Sequence, residues 1–178
     1  MSDFKKVAWR DPKDPAHALL SAINKKYGMV PNVYAVMANS PTTLAALMEF
    51  GTTLDKGSLS PQIKEKIALV VSNENTCKYC VSAHTAVTAG LKMATDEVID
   101  AQRGKSDDPR EQAILNLAIS LNSNHGHGDN SAVSAALQAG VSVEEILDIL
   151  GQVVKNIMTN TMNGIARTKI DFPEVPLI

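Results

Sequence analysis

The chain predicts an all-α fold on three observations. Apolar residues recur at helical spacing, and capping side chains followed by proline mark the helix starts. No stretch alternates polar and apolar residues for long enough to argue a strand. Of 178 residues, 44% are hydrophobic and only 4% aromatic, a mix of Ala, Leu, Val, Ile and Met that favours helices round one core.

In chain order, Asp14-Pro15 opens a helix expected over 15–27, with the stripe Ala16, Leu19, Leu20 and Ile23, stopped by Gly28. A short helix is expected over 31–39, then one over 41–56 between Ser40-Pro41 and Gly57. Ser60-Pro61 opens the helix 61–75, striped with Ile63, Ile67, Val70 and Val71. The next helices are expected over 77–90, ending at Gly90, over 95–104, and over 108–123 behind Asp108-Pro109. The last two are expected over 131–139, ending before Gly140, and over 143–169. Ser142 and Glu145 form a capping box at the start of that final helix, and Ile146, Ile149, Leu150, Val153 and Val154 are its stripe. Proline suits a first helical position because its missing N–H would have no partner there, and glycine suits a stop because it enters the left-handed region freely.

The expected organisation is a single domain over 1–178: N-terminal helices in 1–59, a motif-bearing core in 60–105 and C-terminal helices in 106–178. Residues 60–100 and 108–150 share an order of helix, break, helix ending in Ala-Gly and acidic-start helix, a weak sign of internal duplication. A net charge of −2 and a pI near 6.1 leave no basic excess to neutralise phosphates, which argues against nucleic acid. The start, MSDFKKVAWRDPKD, has no apolar signal core, and apolar runs such as Ile67–Val71 stop far short of the ~20 residues that cross a bilayer. A cytoplasmic location is the expectation.

The two cysteines of the chain sit as Cys77-Lys78-Tyr79-Cys80. A chain of this length needs no disulfide staple, and in a reducing compartment such a pair is more often catalytic or metal-binding. On a helix, Cys77, Cys80 and His84 fall on one face, with Ala83, Val87 and Leu91 continuing it as packing surface. Cys77 stands at the helix N-terminus, where free N–H groups and the dipole favour a thiolate. By helix position it is the more exposed sulfur, with Cys80 next to His84. An imidazole a turn from Cys80 can take or return a proton near neutral pH. Glu65 shares its helix face with Ala68, Leu69 and Ser72, and is expected at the mouth of a buried helix pair as a general base.

Glu65, eleven residues, Cys77-x-x-Cys80, three residues and His84, with Tyr79 and Ala83 beside them, together resemble the signature of the AhpD-like alkylhydroperoxidases of the carboxymuconolactone decarboxylase superfamily. The specific match covers about residues 60–105. The resemblance implies an all-helical fold, trimers or hexamers, and peroxide reduction by the cysteine pair. It also implies a proton relay through Glu65, His84 and Cys80, and reduction of the resulting disulfide by a dithiol or lipoyl partner. The superfamily's decarboxylases lack the cysteine pair, so Cys77 and Cys80 point to the redox branch. Tyr79 stands where some family members carry a histidine between the cysteines.

Other readings compete. Glu65, Cys77, Cys80 and His84 could together hold a metal, although no second cysteine pair exists to complete a structural zinc site. His125-Gly126-His127-Gly128-Asp129 reads as a solvated turn rather than a ligand cluster. Met29, Met37, Met48, Met93, Met158 and Met162 read as core or subunit-interface filler, and His17 as a surface or packing residue. Ile146, Ile149, Val153, Ile157 and Met158 spread wider than one core-facing stripe, which adds to the expectation of a homo-oligomer. The expected function is a thiol-dependent peroxidase or disulfide oxidoreductase without a cofactor, and the alternative is a redox-sensing or adaptor protein without significant turnover.

Overall fold

The computed structural model of the protein describes residues 4–178. Its described residues form helices and no strands: α1 (His17–Tyr27), α2 (Asn32–Met37), α3 (Pro41–Leu54), α4 (Pro61–Glu74), α5 (Lys78–Gly90), α6 (Thr95–Gln102), α7 (Pro109–Asn124), α8 (Ser131–Gln138) and α9 (Val143–Ala166). None is long and apolar enough to cross a membrane.

The centre is α4. Ile67, Ala68, Leu69, Val70, Val71 and Ser72 are all buried, so this helix is covered on every side, as a helix apolar all round must be. It packs on α5, α6, α7 and α9, while α7 packs on α8 and α9. Ile114, Leu115, Leu117, Ile149 and Val153 close the core round it. A second cluster joins α1, α2 and α3 through Leu20, Ile23, Met37, Leu44 and Leu47, with Met48, Met158 and Met162 packed against it. Lys66 is buried within α4 and holds Glu97 of α6 and Glu111 of α7, so a fixed ion-paired knot ties three helices together.

The expected caps of Ser40, Ser60 and Asp108 form, and Ser142 with Glu145 forms the reciprocal capping box. Asp14 departs from expectation. Its carboxylate accepts the Ala16 N–H in a turn, and α1 begins at His17. Gly28 and Gly140 are left-handed as expected, but Gly57 and Gly90 are not. A Cβ on Gly57 would come 2.5 Å from Asp148 of α9, so this glycine admits a close approach rather than a turn. The α5 chain turns later than Gly90, with Lys92 left-handed and Met93 N–H reaching back to Thr88.

The C-terminal segment after α9 runs back across the chain. Asp171 accepts from Asn32 N–H and the Tyr79 hydroxyl, and Phe172 packs edge-on against Tyr79. The Val175 N–H reaches Ser82, and Gln102 donates to the Pro176 carbonyl. This strap passes over the start of α5.

Candidate active site

The two cysteines are placed by one tight junction. At the end of α4, Cys77 N–H bonds to the Ser72 carbonyl and Thr76 N–H to that of Asn73, with Thr76 left-handed. Cys77 is thus the third residue past α4 and the N-cap of α5. Its sulfur accepts the Cys80 N–H at 3.3 Å, the position where a thiolate gains most from free amides and the dipole. Cys77 and Cys80 are joined in a disulfide, with sulfurs 2.09 Å apart. In this oxidised form the pair offers no thiolates to a metal.

Glu65 of α4 and His84 of α5 meet, Oε2 to Nδ1, at 2.7 Å. Both side chains are mostly covered, with 18% and 23% of their surface accessible. A carboxylate accepts only, so Nδ1 carries the shared proton and Nε2 is the ring nitrogen left over for chemistry. Sequence alone left open whether Glu65 faces the motif. The packing of α4 against α5 brings it to His84.

A cavity of about 540 Å³ opens beside this pair. Cys80, His84 and Glu65 line it, as do Val33, Tyr34, Leu47, Met48 and Phe172. Cys77 does not line it, and both cysteines are buried, at 7% and 3% accessible. Cys77, expected to be the more exposed sulfur, is slightly the more accessible residue of the two, but the cavity is reached by Cys80. Cys77 sits at the α4–α5 junction in a buried cluster with Val33 and Tyr79, whereas one turn further on Cys80 reaches the cavity. Val87, expected as packing surface, is 47% exposed on the same cavity wall.

Three contributors lie outside the motif. Asn163 of α9 donates to the Cys80 sulfur at 3.2 Å, while its own Oδ1 is buried and unpartnered. Lys155, also on α9, lines the cavity. Tyr34 of α2 lines it too, stacked on Tyr27 with ring centroids 6.2 Å apart. Helical spacing of four, four and three places Gln152, Asn156, Asn160 and Asn163 along one inward face of α9, and that polar stripe was the available clue for Asn163. Tyr79 lies buried between the cysteines, its hydroxyl accepting from Val33 N–H and donating to Asp171. Burial pushes that phenol well above the usual tyrosine range, so it stays protonated and acts as a structural bridge.

The remaining histidines stand apart from the site. His125 and His127 lie in the exposed turn after α7, where Asp129 accepts from Ser131 instead. His17 hydrogen-bonds the Trp9 carbonyl. Met29 lines the cavity, while Met93 packs against Leu69 and Val98.

Against known proteins, the carboxymuconolactone decarboxylase family model matches residues 41–107, the stretch from α3 through α6 that contains Glu65, Cys77, Cys80 and His84. No curated protein matches the sequence. Among solved structures, a peroxidase-related protein from Ralstonia eutropha JMP134, described as an alkylhydroperoxidase AhpD core, aligns with a TM-score of 0.84 and 22% identity. That alignment covers 96% of this chain and 92% of the other. A peroxidase-related protein from Silicibacter sp. TM1040 aligns with a TM-score of 0.80 and 24% identity over 93% and 90% of the two chains. The debrominase Bmp8, solved with 2,3,4-tribromopyrrole, aligns with a TM-score of 0.75 and 19% identity over 86% and 84%. The fold is shared across all three.

Proposed function

For a chain whose residues 41–107 match the carboxymuconolactone decarboxylase family model and whose fold is AhpD-like, we propose a thiol-dependent peroxidase of the reducing cytoplasm. The observation that carries this reading is the Glu65–His84 hydrogen bond on the wall of the cavity that Cys80 lines. In the reduced protein, His84 Nε2, with the ring held by Glu65, takes the Cys80 thiol proton. The Cys80 thiolate attacks the peroxide O–O bond and becomes a sulfenic acid, and the returned proton lets the other oxygen leave as alcohol or water. The Cys77 thiolate then condenses with that sulfenic acid, forming the disulfide and releasing water. An external dithiol attacks the Cys80 sulfur from the cavity and expels Cys77, whose thiolate the α5 N-terminus stabilises as a leaving group. The donor's second thiol frees Cys80 and leaves the donor as a disulfide.

Steady-state consumption of hydrogen peroxide and of cumene hydroperoxide, with dihydrolipoamide as donor, tests this. Turnover that needs both cysteines is the expected result. A disulfide that cycles without sustained peroxide loss would instead favour a redox sensor or adaptor. A second reading, thiol reduction of a halogenated aromatic, draws on the aromatic cavity walls of Tyr34 and Phe172 and the likeness to Bmp8. Bromide release from 2,3,4-tribromopyrrole reads it out directly. We also propose that the chain works as a homo-oligomer, a trimer or hexamer, joined through an apolar surface of α9.

A further inference from the structure

Hydrogen peroxide would leave most of a 540 Å³ cavity empty, a volume typical of sites that enclose organic ligands. Its wall is largely apolar, with Val33, Leu47, Met48 and Phe172 beside Cys80. Charged groups break that surface: Lys26 with Asp55, Glu65 with His84, and Lys155. Lys155 leaves the middle of α9, and its stem passes the bare backbone of Gly51 on α3, where a Cβ would stand 3.8 Å from Lys155 Cδ. The side chain is half-buried and, among the described residues, has no ion pair and no side-chain hydrogen bond.

The acids that could neutralise Lys155 are otherwise engaged. Glu65 is held by His84 at 2.7 Å, and Asp55 faces Lys26 at 3.8 Å. Burial pushes the Lys155 ammonium below the usual lysine range, against the upward pull of Asp55 and Glu65. A partly desolvated cation that no carboxylate contacts directly is costly to keep, and an anion delivered by a ligand would offset that cost.

We propose that the cavity takes an organic anion, an apolar chain or ring bearing a carboxylate, and that Lys155 holds the carboxylate. This rests on the peroxidase reading and deepens it: the substrate is then a carboxylate-bearing organic hydroperoxide whose apolar body fills the cavity. The reaction is unchanged, with the hydroperoxide reduced to the hydroxy acid and water while the two thiols become a disulfide.

Linoleic acid hydroperoxide and its methyl ester differ only in that charge, and each is to be mixed with the reduced protein by stopped flow. The wild type is expected to react about 10–100-fold faster with the acid, the scale of one charge-assisted hydrogen bond. Lys155→Met should bring the acid-to-ester ratio close to one, and Lys155→Arg should keep most of it. The ratio is taken within each variant, so a change in folding or thiol reactivity cancels. Equal rates in the wild type, or an undiminished ratio in Lys155→Met, would overturn the proposal. Calorimetric titration of the corresponding hydroxy acid and hydroxy ester into the oxidised protein reads charge recognition without turnover. Tighter acid binding that Lys155→Met removes, in a protein that consumes no peroxide, upholds the anion site and sinks the peroxidase reading. Peroxide turnover with equal binding of acid and ester does the reverse.

Discussion

Cys80 takes its surroundings from several directions. The α5 helix supplies His84, the α4 helix supplies Glu65 behind it, and α9 supplies the Asn163 amide that donates to the sulfur. If Glu65 and His84 move one proton, Glu65→Gln and His84→Ala should leave the fold and the disulfide intact. Each should slow the reaction of the reduced protein with peroxide by roughly 10²–10⁴-fold, the usual scale for a positioned acid–base group. The deficit should shrink as pH rises towards ~8.5, where a free thiol ionises without help. The double variant should be little slower than the slower single one, because both act on the same step. Stopped-flow rates across a pH series check all three outcomes. Wild-type rates in both single variants would leave Glu65 a helix-start carboxylate and His84 a packed imidazole.

At the scale of elements, the helix ends are set by side chains close in sequence. The sharpest case is the start of α9, where Ser142 accepts the Glu145 N–H and Glu145 accepts the Ser142 N–H and pairs with Arg110 of α7. Ser142→Ala should cost about 1 kcal/mol of stability in urea unfolding, the ordinary value of a lost N-cap. The Ser142 N–H first, then Arg110, holds the Glu145 carboxyl below its usual 4.5. A carboxylate with a depressed folded-state pKa contributes stability that is full above the unfolded value and is lost as pH falls through the folded one. The urea midpoint of the wild type should therefore exceed that of Glu145→Gln at neutral pH, and the gap should close on acidification below about pH 4. A gap that stays constant with pH would mean that the carboxylate's charge contributes nothing. The α4–α5 junction obeys the same local logic with one exception. Thr76 is a β-branched residue in the left-handed region, a conformation that costs energy and is held by the bonds on either side of it.

For the molecule as a whole, α9 is the element with most to decide. The apolar residues expected to spread outward divide differently. Ile149 and Val153 are buried, and Ile146, Ile157 and Met158 pack against the cores. The exposed large apolar residues of α9 are Val143, Leu147, Leu150, Val154 and Ile165, of which the first four follow one another at helical spacing along the outer face. Such a stripe on a small chain calls for a cover, and a second copy would supply the same face. Light scattering at micromolar concentration should report a multimer for the wild type and a smaller species for the Leu147→Asp, Val154→Asp double variant. A wild-type monomer would defeat the oligomer.

Much of this fold was legible because its signals act within a turn or two. Ser40, Ser60, Asp108 and Ser142 cap amides two or three residues away, and Cys77, Cys80 and His84 share a face by helical periodicity alone. Local rules missed where a distant group intervened, as at Gly57, whose bare backbone admits Asp148 from α9. The site followed the same division. Its residue types and spacing were in the sequence, but contacts between helices depend on the rotation and crossing of each helix, which the sum of buried packing decides. Glu65 meets His84 only because α4 is buried all round and α5 folds back along it. Asn163 reaches Cys80 across 83 residues of chain for the same reason. Lys155 joins the cavity because α9 packs with one face inward, and no neighbour in sequence could have shown that the acids near it are already paired.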